Sequence, residues 1–330
     1  MEKTEARYYE RLENEFVKCH LCPVGCRIAP GKSGICMIRS NDGGTLYAAE
    51  YGRTVALNLD PIEKKPLYHY KPGSVILSIG PNGCNLDCIF CQNWSISQAK
   101  SAVRYISPEN LTKVAGMNRS IGVAYTYTEP LIWYEYLLDS ARLLKDAGLS
   151  VVVVSNAYLN EAPARELFPY VNAANFDLKS IRPEFYRQAC KGKLEDVLRT
   201  IAIAREIGVH VELTNLIIPD MNDSDDDIGE LVNWVAAIDP KIPLHFSRYF
   251  PHYKLDKPAT PEERLEYAYQ TAKQRLKYVY VGNIVGLGDQ HTSCLNCNAV
   301  LVKRNGYDVD NIGLNGDKCA RCGFVSDIVV

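Results

Sequence analysis

Eleven of the chain's twelve cysteines fall into three groups whose spacings suit metal binding rather than disulfides. Cys84, Cys88 and Cys91 form a group of three. An ordinary [4Fe–4S] cluster takes four thiolates, so three leave one iron without a protein ligand. That iron is open to another molecule, as one position is kept open at a catalytic zinc. Zinc held by these three and the distant Cys190 is the competing reading. Cys294, Cys297, Cys319 and Cys322 make two Cys-x2-Cys pairs with a hairpin pattern between them, which is the sequence of a zinc ribbon. Four thiolates close a tetrahedral site, so this zinc is structural. Cys19, Cys22, Cys26 and Cys36 suit either zinc or a second iron–sulfur cluster. A cluster would offer an electron relay, whereas zinc would staple the N-terminus. The balance leans to zinc, and His20 could stand in for one cysteine.

The three-cysteine group must be positioned by what surrounds it. From Ser74 onward, β-branched apolar runs alternate with amphipathic stretches. The runs lie at 75–79, 122–127, 149–154, 175–178, 209–218 and 243–250, with a shorter one at 278–281. Leu131, Tyr134, Leu138, Ala141 and Leu144 share a helical face, and Gly148 follows where a C-terminal cap belongs. Further stripes run through Leu194–Ile201, Ile228–Ile238 and Leu265–Leu276. Ser107-Pro108 and Thr260-Pro261 read as N-caps followed by proline at the first helical position. Six β-then-α units predict a parallel sheet forming a partial, TIM-like (βα)6 barrel, with reactive groups at the C-terminal ends of its strands. The expected division is an N-terminal four-cysteine metal-binding segment at 1–73, the barrel at 74–288 and a zinc ribbon at 289–330. Asp223, Asp225 and Asp227 imitate a calcium loop, but the glycine is displaced and Trp234 replaces the closing Glu. A helix start capped by Ser224 fits better.

Cys84-x3-Cys88-x2-Cys91 resembles the signature of the radical S-adenosylmethionine (SAM) superfamily. The wider run Gly83–Gln98, together with Cys19–Cys26, Asp60–Tyr68, Tyr125–Pro130 and Leu244–Pro251, is similar to the radical SAM enzymes of the AmmeMemoRadiSam system. Those are relatives of the pyruvate formate-lyase activating enzymes. The resemblance spans essentially the whole chain and specifies cofactor chemistry much better than substrate. It implies that SAM chelates the open iron and that one electron cleaves SAM to a 5′-deoxyadenosyl radical, which abstracts hydrogen from a substrate. The electron would come from a low-potential donor of the ferredoxin or flavodoxin type.

The same resemblance suggests SAM contacts, each with a plainer alternative. Phe90 would set backbone against adenine, or is a core aromatic beside the cluster. Glu129 would receive the methionine amino group, or is a carboxylate at a helix start. Here the family's Gly-Gly-Glu turn is replaced by Thr126-Tyr127-Thr128-Glu129-Pro130. Ser155 and Asn156 would touch methionine or ribose, or simply make a turn. Asp177 and Lys179 share a strand face and would meet the SAM ammonium and carboxylate, or form a salt bridge. Thr214, with Glu212 and Asn215, lies where ribose is bound. His245 and Arg248, on the sixth strand, are either site residues or hydrogen-bonded structure.

Composition restricts the alternatives. A net charge of −2 with no run of five or six like charges argues against nucleic-acid partners. No stretch approaches the ~20 apolar residues of a membrane span, and the first residues lack a signal peptide's apolar core. The expectation is a cytoplasmic enzyme acting on a small molecule, with partners from its own gene system. A glycyl-radical activase is the alternative. A zinc and iron–sulfur binding or redox-sensing module without SAM turnover is the reading from a different class.

Overall fold

The computed structural model describes residues 3–330. Each β-branched run becomes a strand of one eight-stranded sheet. Its members are β1 (Ala56–Pro61), β2 (Val75–Gly80), β3 (Gly122–Tyr125), β4 (Ser150–Ser155), β5 (Ala173–Asp177), β6 (His210–Ile217), β7 (Leu244–Arg248) and β8 (Val279–Gly282). They lie in chain order from β1 at one edge to β8 at the other. Strands β2 to β8 are parallel, and β1 adds to β2 antiparallel. The sheet therefore recruits a strand from the N-terminal segment, so the barrel draws on residues before Ser74.

Six helices cross between successive parallel strands: α1 (Pro108–Met117), α2 (Tyr134–Asp146), α3 (Glu161–Leu167), α4 (Leu194–Ile207), α5 (Asp225–Ile238) and α6 (Glu262–Lys273). Their buried stripes (Leu137, Leu138, Ala141 and Leu144 on α2; Ile228, Leu231, Val232 and Val235 on α5) cover the strands and form the main core. Ser107 caps α1 by accepting from the Asn110 N–H, and Ser224 caps α5 by accepting from the Asp227 N–H. The acidic run is thus a helix start, with Asp225 and Asp227 paired to Arg264 and Arg182. The expected Thr260 cap is displaced. Helix α6 begins at Glu262, and buried Thr260 donates to the Ile217 carbonyl (2.6 Å) and accepts from the Tyr249 N–H (2.8 Å). Its hydroxyl locks two strand ends instead of a helix.

The N-terminal segment adds a three-stranded sheet (Tyr9–Arg11, Val17–Cys19, Arg27–Ile28) and a hairpin (Arg39–Asp42, Thr45–Ala48). A buried ion pair fastens it to α2: Arg39 donates to Glu135 at 3.0 Å, and Glu135 also accepts from the Arg7 N–H at 2.7 Å. The C-terminal segment is a set of short antiparallel strands around its own small core of Leu301, Val302 and Ile328. Its Arg304 side chain, fully buried, reaches the Tyr68 carbonyl at 2.5 Å and stacks over the Tyr68 ring at 4.4 Å. That arginine seats the ribbon against the N-terminal ends of the barrel strands. Among the described residues, no helix is long and apolar enough to cross a membrane.

Candidate active site and metal centres

The inward residues of each strand form layers because side chains alternate across a strand. On β6, Glu212 lies in the lower layer, while Thr214 and Leu216 line a cavity at the C-terminal mouth. On β7, His245 is the lower residue and Ser247 the upper one. The lower layer is a closed polar plug. Glu212 is fully buried and accepts from the Tyr68 and His69 N–H groups (3.0 and 2.7 Å), with His245 at 2.7 Å and His210 at 3.1 Å. Burial alone would raise its pKa, but the hydrogen bonds from His210 and His245 hold the carboxyl well below the usual range. His245 is consequently a structural partner of Glu212, one layer beneath the cavity. Arg248 likewise turns away, donating to the Thr260 carbonyl at 2.9 Å.

Above the plug the cavity measures about 450 Å³, within the range for small-molecule sites. Cys84, Cys88 and Cys91 open into it from the loop after β2. Hydrogen bonds to its backbone fix that loop: the Gly83 N–H donates to the Ile96 carbonyl (2.8 Å), and the Gln98 side-chain amide donates to the Leu86 carbonyl (2.9 Å). On its far side, the Asp87 and Ile89 N–H groups donate to the Cys190 and Ala189 carbonyls, both at 3.0 Å. Polar groups already face the sulfurs. The Leu86 N–H and the Asn156 amide reach Cys84 Sγ at 3.4 and 3.5 Å, and the Ser97 hydroxyl lies 3.2 Å from Cys91 Sγ.

Cys190, wholly buried, sits behind Cys88 and does not line the cavity. Its thiol hydrogen-bonds Cys88 and pulls that thiol's pKa down, whereas burial pushes Cys84 and Cys91 up. Deeply buried thiolates need a nearby positive charge. Three convergent thiols with N–H and O–H donors around them, and the fourth cysteine outside the cavity, fit a cluster bound through three ligands.

Opposite the cysteines stands Glu129, 1% exposed. Its carboxylate accepts from the Leu131 N–H (2.9 Å), the Ser155 hydroxyl (2.7 Å) and the Asn156 N–H (2.8 Å). Glu129 caps a helical turn, as the plainer sequence reading expects, and its carboxylate also lines the cavity. Burial raises its pKa to about 7 despite those donors. Ser155 and Asn156 line the cavity too, and in this state they orient Glu129. Asp177 and Lys179 also face inward as an ion pair of 2.9 Å, and Lys179 Nζ lies 5.9 Å from the Phe90 ring centre. Thr214 lines the wall and donates to Asn175 at 2.9 Å.

Several lining groups carried no sequence assignment. Lys64 and Lys65 reach the cavity, and both pair with Asp60 on β1 (2.9 and 2.7 Å). Tyr127, at φ +73°, donates to the same carboxylate at 2.9 Å. Burial would raise the pKa of Asp60, but Lys65 and Lys64 hold it well below the usual carboxylate range. The hint available in the sequence was the charged run between Pro61 and Pro66, immediately after β1.

In the ribbon, all four sulfurs lie within 4.8 Å of one another, with Cys294–Cys322 and Cys297–Cys319 each at 3.7 Å. A tetrahedron with metal–sulfur bonds of about 2.3 Å has edges of about 3.8 Å. The group is therefore shaped for one tetrahedral metal ion.

Comparison with known proteins agrees with this geometry. The family description "Radical SAM superfamily" matches residues 78–235. The uncharacterized protein MJ0808 of Methanocaldococcus jannaschii is 41% identical over 99% of both chains. The pyruvate formate-lyase-activating enzyme of Clostridium pasteurianum is 26% identical, across 47% of this chain and 67% of its own. Among solved structures, a radical SAM methyltransferase from Sphaerobacter thermophilus shares the fold with a TM-score of 0.50 at 14% identity, covering 84% of this chain and 76% of its own. Membership in that family implies a [4Fe–4S] cluster and SAM, which the convergent thiols and the cavity beside them fit. The chain belongs to the radical SAM superfamily and is related to its activating enzymes.

Proposed function

We propose that this chain binds SAM across the mouth of the barrel and uses it to abstract a hydrogen atom from a small-molecule substrate. One observation carries the reading: the thiols of Cys84, Cys88 and Cys91 and the carboxylate of Glu129 open into the same cavity at the strand C-termini. With the cluster and SAM bound, one-electron reduction supplies a 5′-deoxyadenosyl radical. The protein's part is orientation and exclusion of water. Glu129 accepts from the SAM ammonium, Lys179 donates to its carboxylate, and Asp177 keeps Lys179 charged and aimed. Thr214 and Asn156 contact the ribose and methionine portions, and Phe90 places its backbone beside the adenine. The plug around Glu212 closes the floor, so substrate enters only from the mouth. A low-potential donor of the ferredoxin or flavodoxin type supplies the electron, and proteins of the same gene system act alongside.

The test is anaerobic reconstitution with iron and sulfide, then dithionite and SAM, with 5′-deoxyadenosine as the readout. Wild type should form it and Cys88→Ala should not. Wild type with a fully reduced cluster and no product would return the chain to the binding-module class. Similarity to the activating enzyme favours a second reading, hydrogen abstraction from a glycine of a partner protein. A glycyl-radical signal in such a partner after incubation would decide for it.

A further inference from the structure

We propose that Lys64 and Lys65 bind an anionic group of the substrate, a carboxylate or a phosphate, on the edge wall of the barrel cavity. This rests on the radical SAM reading above and adds the class of molecule that the cavity takes beside SAM. Both lysines line that cavity. They follow β1 at the edge of the sheet, whereas Glu129, Asn156 and Lys179 follow β3, β4 and β5. Three strands separate β1 from β5. The two ammoniums thus stand apart from Lys179, the cation that meets the SAM carboxylate in that reading.

Their charge is only half balanced. Lys65 Nζ donates to Asp60 Oδ2 at 2.7 Å, and Lys64 Nζ donates to Asp60 Oδ1 at 2.9 Å. Tyr127 also donates to Oδ2, at 2.9 Å. Both carboxylate oxygens are therefore engaged, and two ammoniums with one carboxylate leave a net charge of +1. The Lys65 side chain is 2% exposed. An ammonium has three N–H donors, yet among the described residues Asp60 is the one hydrogen-bond partner of Lys65. Two donors of a buried cation are left unanswered at a cavity wall, which is costly. Burial pulls the Lys65 pKa down, and Asp60 is the carboxylate that opposes it. A second anion, arriving in the cavity, would answer those donors and balance the charge. A neutral substrate would leave them as they are, and a cationic one would be repelled. Lys64, half exposed, can swing to the same anion on its flexible stem.

Tyr127 holds the pair in place. Its φ of +73° is a conformation that non-glycine residues seldom adopt and that persists only where neighbours enforce it. Here the Asn93 amide donates to the Tyr127 carbonyl (2.6 Å) and the Asn58 amide to its hydroxyl (3.1 Å). The turn lays the phenol on Asp60 and sets the ring centre 5.0 Å from Lys65 Nζ. Ring and carboxylate together fix the ammonium before any ligand arrives, which lowers the cost of ordering it on binding.

The experiment titrates SAM-saturated, reconstituted enzyme with inorganic phosphate and with succinate by calorimetry, at fixed ionic strength in chloride. Wild type is compared with Lys65→Met and Lys64→Gln. Wild type should bind the anion, Lys65→Met at least about tenfold more weakly, and Lys64→Gln about threefold more weakly. Tighter phosphate binding would assign the group as a phosphate, and tighter succinate binding as a carboxylate. No binding by wild type, or equal binding by wild type and variants, would overturn the proposal. Should Lys65→Met fail to fold, Lys64→Gln still carries the test, because its side chain is half exposed. SAM affinity should stay within about twofold throughout, and its loss in the variants would give the lysines to the SAM carboxylate and refute the substrate site. Wild type that binds the anion but forms no 5′-deoxyadenosine would defeat the enzymatic reading and leave the anion site standing. Wild type that forms 5′-deoxyadenosine but binds neither probe would remove the anion site alone.

Discussion

Replacing Glu129 by Gln should change how the stability of the metal-free protein depends on pH. Glu129 is completely enclosed, and its three hydrogen-bond donors do not offset the loss of water, so its pKa rises from 4.5 to about 7. An acid whose folded pKa is raised contributes stability below its unfolded value and loses it as pH climbs through the folded one. A rise of this size corresponds to about 3 kcal/mol, withdrawn between roughly pH 4.5 and 7. His69 works in the opposite direction. Burial lowers its pKa to about 3, so the neutral ring destabilises the fold as pH falls below its usual range. The absolute pH curve therefore mixes several groups, and the difference between wild type and Glu129→Gln isolates one. Urea unfolding at pH 5 and pH 8 measures it. The variant should gain up to about 3 kcal/mol on wild type between those two values. A constant difference would show that Glu129 is ionised throughout, and the argument from its enclosure would fail. The same penalty bears on function, because an ammonium arriving beside Glu129 relieves it. Binding of SAM should then tighten as pH rises through 7 in wild type and stay flat in the variant, by equilibrium titration.

Glu135→Ala leaves the Arg39 guanidinium buried with no anion, and chemical denaturation should show a loss of about 3–5 kcal/mol. A change under 1 kcal/mol would mean that water reaches that pair. Gly80→Ala places a Cβ against the Thr126 carbonyl where β2 meets β3, costing about 1–3 kcal/mol by thermal unfolding. Purified protein should carry zinc in the ribbon, and Cys319→Ser with Cys322→Ser should lose it by metal analysis while the reconstituted [4Fe–4S] absorbance persists. Zinc retained in that variant would place the ion elsewhere.

The elements themselves were legible in the sequence because their signals are local. Seven β-branched runs became the seven parallel strands, the four 3.6-residue stripes became four of the six helices between them, and the Ser107-Pro108 cap marked a fifth, while the short helix Glu161–Leu167 carried no such stripe. The three-cysteine loop, the ribbon pairs and the cap at Ser224 follow from spacings of a few residues, which a chain cannot easily rearrange. Alternation along a strand tells which residues can share a face, as it did for Asp177 and Lys179. It could not tell their depth, and depth separates Thr214 in the cavity wall from His245 in the plug below. Nor could it show that Thr260 serves two strand ends rather than a helix, since its partners lie 43 and 11 residues away.

Tertiary structure decided the encounters between distant segments. It brought Lys65 and Asp60 to Tyr127, set Cys190 behind Cys88, and laid Cys36 on Gly83. In each case the partners are close because a sheet and its crossovers fold them together, and no local pattern records that pairing. Residue types and short spacings determine which chemistry the chain can hold. Only packing determines which groups share a cavity, at what depth, and with which charges beside them.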